Sequence, residues 1–159
     1  MIVVSDTSAI SNLMQVDFLH ILNLVYGKII IPKAVYDELC EIETQKQIID
    51  SLKWIEIESA SDIGLIKKLE FDLDAGESEA IALAIEFKAD FLVIDELMGR
   101  KIAESLGIKI VGLLGTLLKA KEKGFVTTIS PILESLSTKA GFHINPQLKK
   151  YVLQLANEA

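Results

Sequence analysis

Cys40 is the only cysteine in 159 residues. That excludes an intrachain disulfide and a thiolate zinc site. The two histidines, His20 and His143, have no partner at ligand spacing, which argues against zinc. His20 reads as part of a helix face and His143 as a loop or cap residue. Arginine is almost absent: Arg100 stands alone among scattered lysines, and the net charge is −7. A module that grips nucleic acid through a broad basic surface has the opposite balance. An enzyme whose acidic site is neutralised by divalent cations is not excluded. No apolar run is long enough to cross a bilayer. The N-terminus MIVVSDTSAI lacks a basic leader and turns polar early, so it reads as a first strand and not as a secretion signal. No membrane association is expected, and the cytoplasm is the default location.

What is present is an ordinary globular composition, half hydrophobic and a quarter charged. The length fits one domain over residues 1–159, without linker, repeat or low-complexity segment. Strands are expected at Met1–Ser5, Lys28–Ile31, Trp54–Ile57, Phe91–Ile94 and Ile108–Val111. Helices are expected from Asp17, as N-cap, to Tyr26, then over Lys33–Ile42 behind Pro32, Asp62–Phe71, Asp74–Lys88 and Leu97–Leu106. The remainder is helical, roughly Leu113–Lys123, Ser130–Lys139 and Pro146–Asn157, with the segment from about 128 packed on the rest. Strands alternating with helices imply an α/β fold, a three-layer sandwich around a mostly parallel sheet. In such sheets the site lies beyond the carboxyl ends of the strands, at the switch point.

Two aspartates stand at that edge. Asp6 directly follows the first strand and Asp95 the fourth. With the strand order 3-2-1-4-5 they face each other. Each also fits a plain helix cap. Glu77 shares the apolar helical face of Ile81 and Ala84, at about 100° per residue, and also suits a capping box with Asp74. Glu79, in line with Glu86, is expected on the solvated face. Glu38 has Ala34, Val35 and Ile42 as angular neighbours, another carboxylate on an apolar face. Such acids cost several kcal/mol unless paired, and no arginine is near in sequence. Four carboxylates at one edge repel one another. Mg²⁺ or Mn²⁺, which prefer oxygen ligands, would resolve this.

These residues carry a family resemblance over essentially the whole chain. VSDTSAISNL, IIIPKAVYDEL around Glu38, LDAGESEAIALAIE around Glu77, FLVIDELMGRKIAESLGIKIVGLLGTLLKAKEKG and the tail AGFHINPQLKKYVLQLANE occur in the order seen in PIN-domain nucleases. The chain resembles a prokaryotic, toxin-like subgroup of single-domain members. The resemblance implies a PIN-like sandwich, Mg²⁺ or Mn²⁺ dependence and hydrolysis of phosphodiester bonds, usually in RNA. It maps the four acids, as metal ligands and catalytic residues, to Asp6, Glu38, Glu77 and Asp95. Many PIN domains carry a further aspartate beyond the last acid; only Glu96 is available for that role here. Glu79 is the rival to Glu77, and the periodicity favours Glu77.

The expected chemistry is hydrolysis assisted by a metal that Asp6 and Asp95 bridge. Thr7 and Ser8 either orient a water or a ligand or cap the first helix turn. Arg100 either contacts a phosphate or pairs with Glu96 or Glu104. The chain is then a toxin silenced by a small antitoxin, a homodimer in the cytoplasm, or an RNA-processing nuclease without antitoxin. A non-catalytic PIN scaffold binding RNA or protein is the rival of a different class. A haloacid-dehalogenase-like phosphatase needs an acid where Ser8 stands. A receiver domain needs an aspartate at the end of the third strand, which runs instead into Glu58-Ser-Ala-Ser.

Overall fold

A computed structural model describes residues 1–159. In chain order the elements are β1 (Val3–Ser5), α1 (Thr7–Gln15), α2 (His20–Tyr26), β2 (Ile29–Pro32), α3 (Lys33–Leu39), α4 (Glu43–Ser51), β3 (Ile55–Glu58), α5 (Ile63–Leu69), α6 (Ala75–Glu86), β4 (Phe91–Val93), α7 (Leu97–Ser105), β5 (Ile110–Val111), α8 (Leu113–Glu122), α9 (Ser130–Lys139) and α10 (Pro146–Leu155). The strands form one sheet in the order β3-β2-β1-β4-β5. Every pairing is parallel, with Val4 opposite Ile30 on one side and Leu92 on the other.

Alternate residues of each strand point to opposite faces, and both faces are apolar here. Val3, Ile29, Ile31, Val93 and Val111 join α1–α4 and α8–α10 in the larger hydrophobic cluster. Val4, Ile30, Leu92 and Ile94 join α5, α6 and α7 in the smaller one. A sheet buried on both faces needs near-continuous apolar strands, which is why these runs are legible. The C-terminal helices pack through Leu133, Leu136, Val152 and Ala156. Glu158 closes them down: it accepts from the amides of Ile129 and Ser130, both at 2.9 Å, at the start of α9, a helix with no side-chain cap of its own. No helix is long and apolar enough to cross a membrane.

Three expectations change. Asp17 does not cap α2. Its φ of +61° puts it in the left-handed region, where the chain reverses after α1, and α2 starts behind Leu19. The helix after Pro32 stops at Leu39, so Ile42 leaves the proposed face of Glu38 and is 53 % exposed. Helix α4 is not among the expected helices. It buries only Gln45 and Ile49, too few apolar positions to set a period.

A candidate carboxylate centre at the carboxyl edge

The strand order places β1 beside β4, and the chain leaves both at one edge. Asp6 begins this site. Its amide donates to the Val93 carbonyl at 3.0 Å, which ties the exit of β1 to β4. Its side chain is the N-cap of α1, so the capping expectation is met in form. The bonds are long, however: 3.4 Å from the Ala9 amide and 3.3 Å from the Ser8 hydroxyl. They do not offset the burial of a carboxylate that is 3 % exposed. Burial, and then the charge of Asp95, push the Asp6 pKa up to about 7.

Asp95 is not the cap of the helix that follows it. Glu96 takes that place, accepting from the Gly99 amide at 2.9 Å. Asp95 Oδ1 instead accepts from the Leu113 amide at 2.9 Å. It thereby caps α8, whose own N-cap, Gly112, has no side chain. A Cβ on Gly112 would lie 2.7 Å from Asp95 Oδ1 and 2.7 Å from Arg100 Nη1, so glycine is what permits this approach. Asp95 Oδ2 is buried with no partner at all. Burial raises the pKa of Asp95, and the Leu113 amide and the Arg100 charge only partly counter it.

Arg100 donates through Nη1 to the Ile94 carbonyl at 2.8 Å. The ion pair with Glu96 or Glu104 expected as one option is not formed, because the guanidinium is turned inward to the end of β4.

Glu38, on α3, accepts from the Thr7 hydroxyl and from the Gly76 amide, the latter at 3.1 Å. A Cβ on Gly76 would stand 2.8 Å from Glu38 Oε1, so a second glycine lets α6 come close. Thr7 and Ser8 thus hold two of the acids, Glu38 and Asp6, while Asp6 itself does the capping.

Glu77 forms the capping box with Asp74: its amide donates to the Asp74 carboxylate at 2.8 Å, and Glu77 Oε1 accepts from the Asp74 amide at a weak 3.3 Å. The box does not account for the whole side chain. Burial, with the charges of Asp74 and Glu96 adding to it, pushes the Glu77 pKa up to about 7.

The expectation for Glu79 fails in its reason. Glu79 is not solvated; it is 9 % exposed, as Glu77 is. Helix α6 is buried from Gly76 to Ala84 on all sides, so no polar face exists on which to sort its acids. What separates them is partners. Glu79 accepts from the Ala34 amide at 2.8 Å and the Ala60 amide at 3.0 Å, one per oxygen. It ties the start of α3 and the exit of β3 to α6.

Asp6, Glu38, Glu77 and Glu96 line one open cleft of about 400 Å³, together with Asp74, Thr7, Ser8, Ser11 and Asn12. It contains five acids and no basic residue. Asp95, the fourth expected acid, does not line this cleft; it lines a separate groove, although its charge reaches Asp6. Asp74, Ser11 and Asn12 were missed as site residues. Ser8, Ser11 and Asn12 follow the i, i+3, i+4 spacing of one helix face, a signal that was present in the sequence. The donor set is all oxygen, which suits a hard cation. No three His, Cys, Asp or Glu side chains converge as a ready-made cage. Mg²⁺ does not need one, since it keeps several waters and takes one or two carboxylates plus substrate phosphate. The orphaned Asp95 Oδ2 and the raised Asp6 are the groups that fit such an ion best.

An acid-lined cleft at the switch point of a parallel α/β sheet defines the class, and comparison with known proteins narrows it. A family model described as "DUF3368: PIN domain" matches residues 2–158. The chain belongs to this PIN-domain family. A PIN domain is a nuclease-type fold, generally dependent on divalent metal ions. Among solved structures, the chain is similar to a PilT N-terminus domain protein from the archaeon Sulfolobus solfataricus P2. The identity is 20 %, the TM-score is 0.56, and the match covers 77 % of this chain and 95 % of that one. Comparison with curated proteins gives no match.

Proposed function

We propose that this chain is an Mg²⁺- or Mn²⁺-dependent endoribonuclease, with Asp6, Glu38, Glu77 and Asp95 as its working carboxylates. One observation carries the reading: Asp6, Glu38 and Glu77 line one cleft with two further acids and no basic side chain, and Asp95 at the same sheet edge keeps a buried oxygen without a partner. A structural role gives a buried acid donors, whereas the acids of this cleft have no positive charge among them and Arg100 eases only Asp95. A bound divalent ion would supply that charge, activate a water and polarise the scissile phosphate.

Asp6 and Asp95 would hold the ion from neighbouring strands. Thr7 keeps Glu38 facing the cleft, and the Asp74 amide keeps Glu77 in place. Arg100 stays on the Ile94 carbonyl, where its positive charge keeps Asp95 easier to ionise. A toxin role, with a small antitoxin as partner and a cytoplasmic homodimer as the working form, rests on the family resemblance.

The caps made by Asp6 and Glu77 favour the rival scaffold reading, in which the acids only start helices. Cleavage of one sequence, as RNA and as DNA, with Mn²⁺ and with chelator, separates the two. Mn²⁺-dependent cutting of the RNA is expected. Cutting of DNA alone would reassign the substrate, and no cutting of either would favour the scaffold.

A further inference from the structure

Three hydroxyls line the acidic cleft, those of Thr7, Ser8 and Ser11. Two are spent on its acids, Thr7 on Glu38 and Ser8 on Asp6. Ser11 is bound differently. Its hydroxyl oxygen accepts from Gln45 Nε2 at 3.1 Å and from Gln15 Nε2 at 3.3 Å. Gln15 lies one turn further along α1 and also donates to the Ser11 carbonyl at 3.2 Å. Gln45 reaches across from α4 and is 8 % exposed, one of only two residues that this helix buries. An amide in so buried a position costs free energy that an apolar side chain would not, and its bond to Ser11 is what it makes there.

A hydroxyl has one proton to give and two lone pairs to accept with. Both lone pairs of Ser11 are taken, so it can act only as a donor. A serine or threonine inside a helix often spends that proton on the carbonyl four residues back, as Thr116 and Thr138 do. Ser11 does not, and it donates to none of the cleft acids. Two N–H groups donating to its oxygen also strengthen the O–H as a donor. Resting on the nuclease reading above, we propose that Ser11 donates to a non-bridging phosphate oxygen of the substrate, and that Gln45 is the positioning residue that keeps it a donor. A phosphodiester fits, because its anionic oxygens accept and have no hydrogen of their own to offer. In a cleft without a basic side chain, a neutral donor to that anion is what the protein itself can supply.

The test is the affinity of the full chain for a fluorescent RNA decamer, with Ca²⁺ in place of Mn²⁺, for Ser11→Ala, Gln45→Glu and the double variant. Gln45→Glu keeps the shape but puts an acceptor where the donor was, so the Ser11 proton is drawn away from the cleft. Each single variant is expected to lose about tenfold in affinity, the scale of one hydrogen bond to a charged group. The Mn²⁺ shift of the thermal midpoint should be intact in Ser11→Ala. The double variant should bind no more weakly than Ser11→Ala alone, because Gln45 acts only through that hydroxyl. Gln45→Met is measured in the same two backgrounds, so that a buried carboxylate that prevents folding does not remove the test; it too should weaken binding only where Ser11 is present. Native affinity in Ser11→Ala would overturn the proposal while leaving the nuclease reading standing. Additive losses in the double variants would overturn the role of Gln45, which would then act through charge or packing. If the native chain shows neither RNA binding nor a Mn²⁺ shift, the nuclease reading fails and takes this one with it.

Discussion

Glu77 and Glu79 lie on one helix, two residues apart and equally buried, yet they belong to different regions of the molecule. Glu79 faces the flank where α3 and the exit of β3 meet α6, and both its oxygens receive backbone amides from distant segments. Glu77 faces the carboxyl edge, where its neighbours are acids and its one backbone bond is long. Burial by itself therefore does not identify a working carboxylate. A buried acid with donors is a strut; a buried acid among acids has been left for something that arrives from outside. Glu158 is a second strut, with two amides and Lys121. Asp95, with one oxygen unpartnered, falls on the other side.

The largest difference should appear in catalysis. Glu77→Gln is expected to lower Mn²⁺-dependent RNA cleavage by orders of magnitude, as a ligand and its charge are removed. Glu79→Gln, assayed where it is folded, should keep most of the activity. Single-turnover rates at saturating Mn²⁺ measure both. An inactive, well-folded Glu79→Gln beside an active Glu77→Gln would reverse the distinction.

Stability in chelator should rank the two residues the other way. Glu79→Ala leaves the amides of Ala34 and Ala60 without acceptors, at about 1–3 kcal/mol for each. Glu77→Gln removes a charge from a repelling group and should be neutral or stabilising. Urea unfolding of both variants checks this, and a Glu79→Ala protein as stable as the native chain would dissolve the strut.

A smaller, graded effect concerns pH. Asp6 rises from 3.8 to about 7 on folding, and Glu77 from 4.5 to about 7. The folded state thus holds protons that the unfolded state releases. Without metal, their favourable contribution is fully present below pH 4. It is lost as the pH rises through 7, so the chelated protein should lose midpoint over that window. Saturating Mn²⁺ should flatten the loss, because the cation stabilises the ionised acids. A metal-free midpoint that rises from pH 4 to 7 would contradict the burial of uncompensated carboxylates.

Much of this was legible in the sequence because the strands are short, apolar and separated by helices. Asp6 and Asp95 could be placed at the switch point from strand ends alone. Glu77 was separated from Glu79 by the assumption that α6 has a solvated face. That helix is packed by α3, α5 and the sheet, so the choice of Glu77 stands on hydrogen bonds that no periodicity encodes. Gly76 and Gly112 are plain in the sequence, but their meaning depends on which carboxylate comes near. Asp17 reads as a cap by type and is instead a left-handed reversal, which only the path from α1 to α2 dictates.

Asp6→Asn tests the central claim most directly, because asparagine caps a helix nearly as well as aspartate but carries no charge for a cation. The measurement is the thermal midpoint with chelator and with saturating Mn²⁺, taken beside RNA cleavage by the same protein. The metal-free variant should be as stable as the native chain or more so, by about 1 kcal/mol, the scale of one pKa unit. Its Mn²⁺ shift should collapse and its cleavage should fall by orders of magnitude. A variant that keeps both the native Mn²⁺ shift and near-native cleavage would show that Asp6 is only a helix cap and that the carboxylate centre is not the site of chemistry.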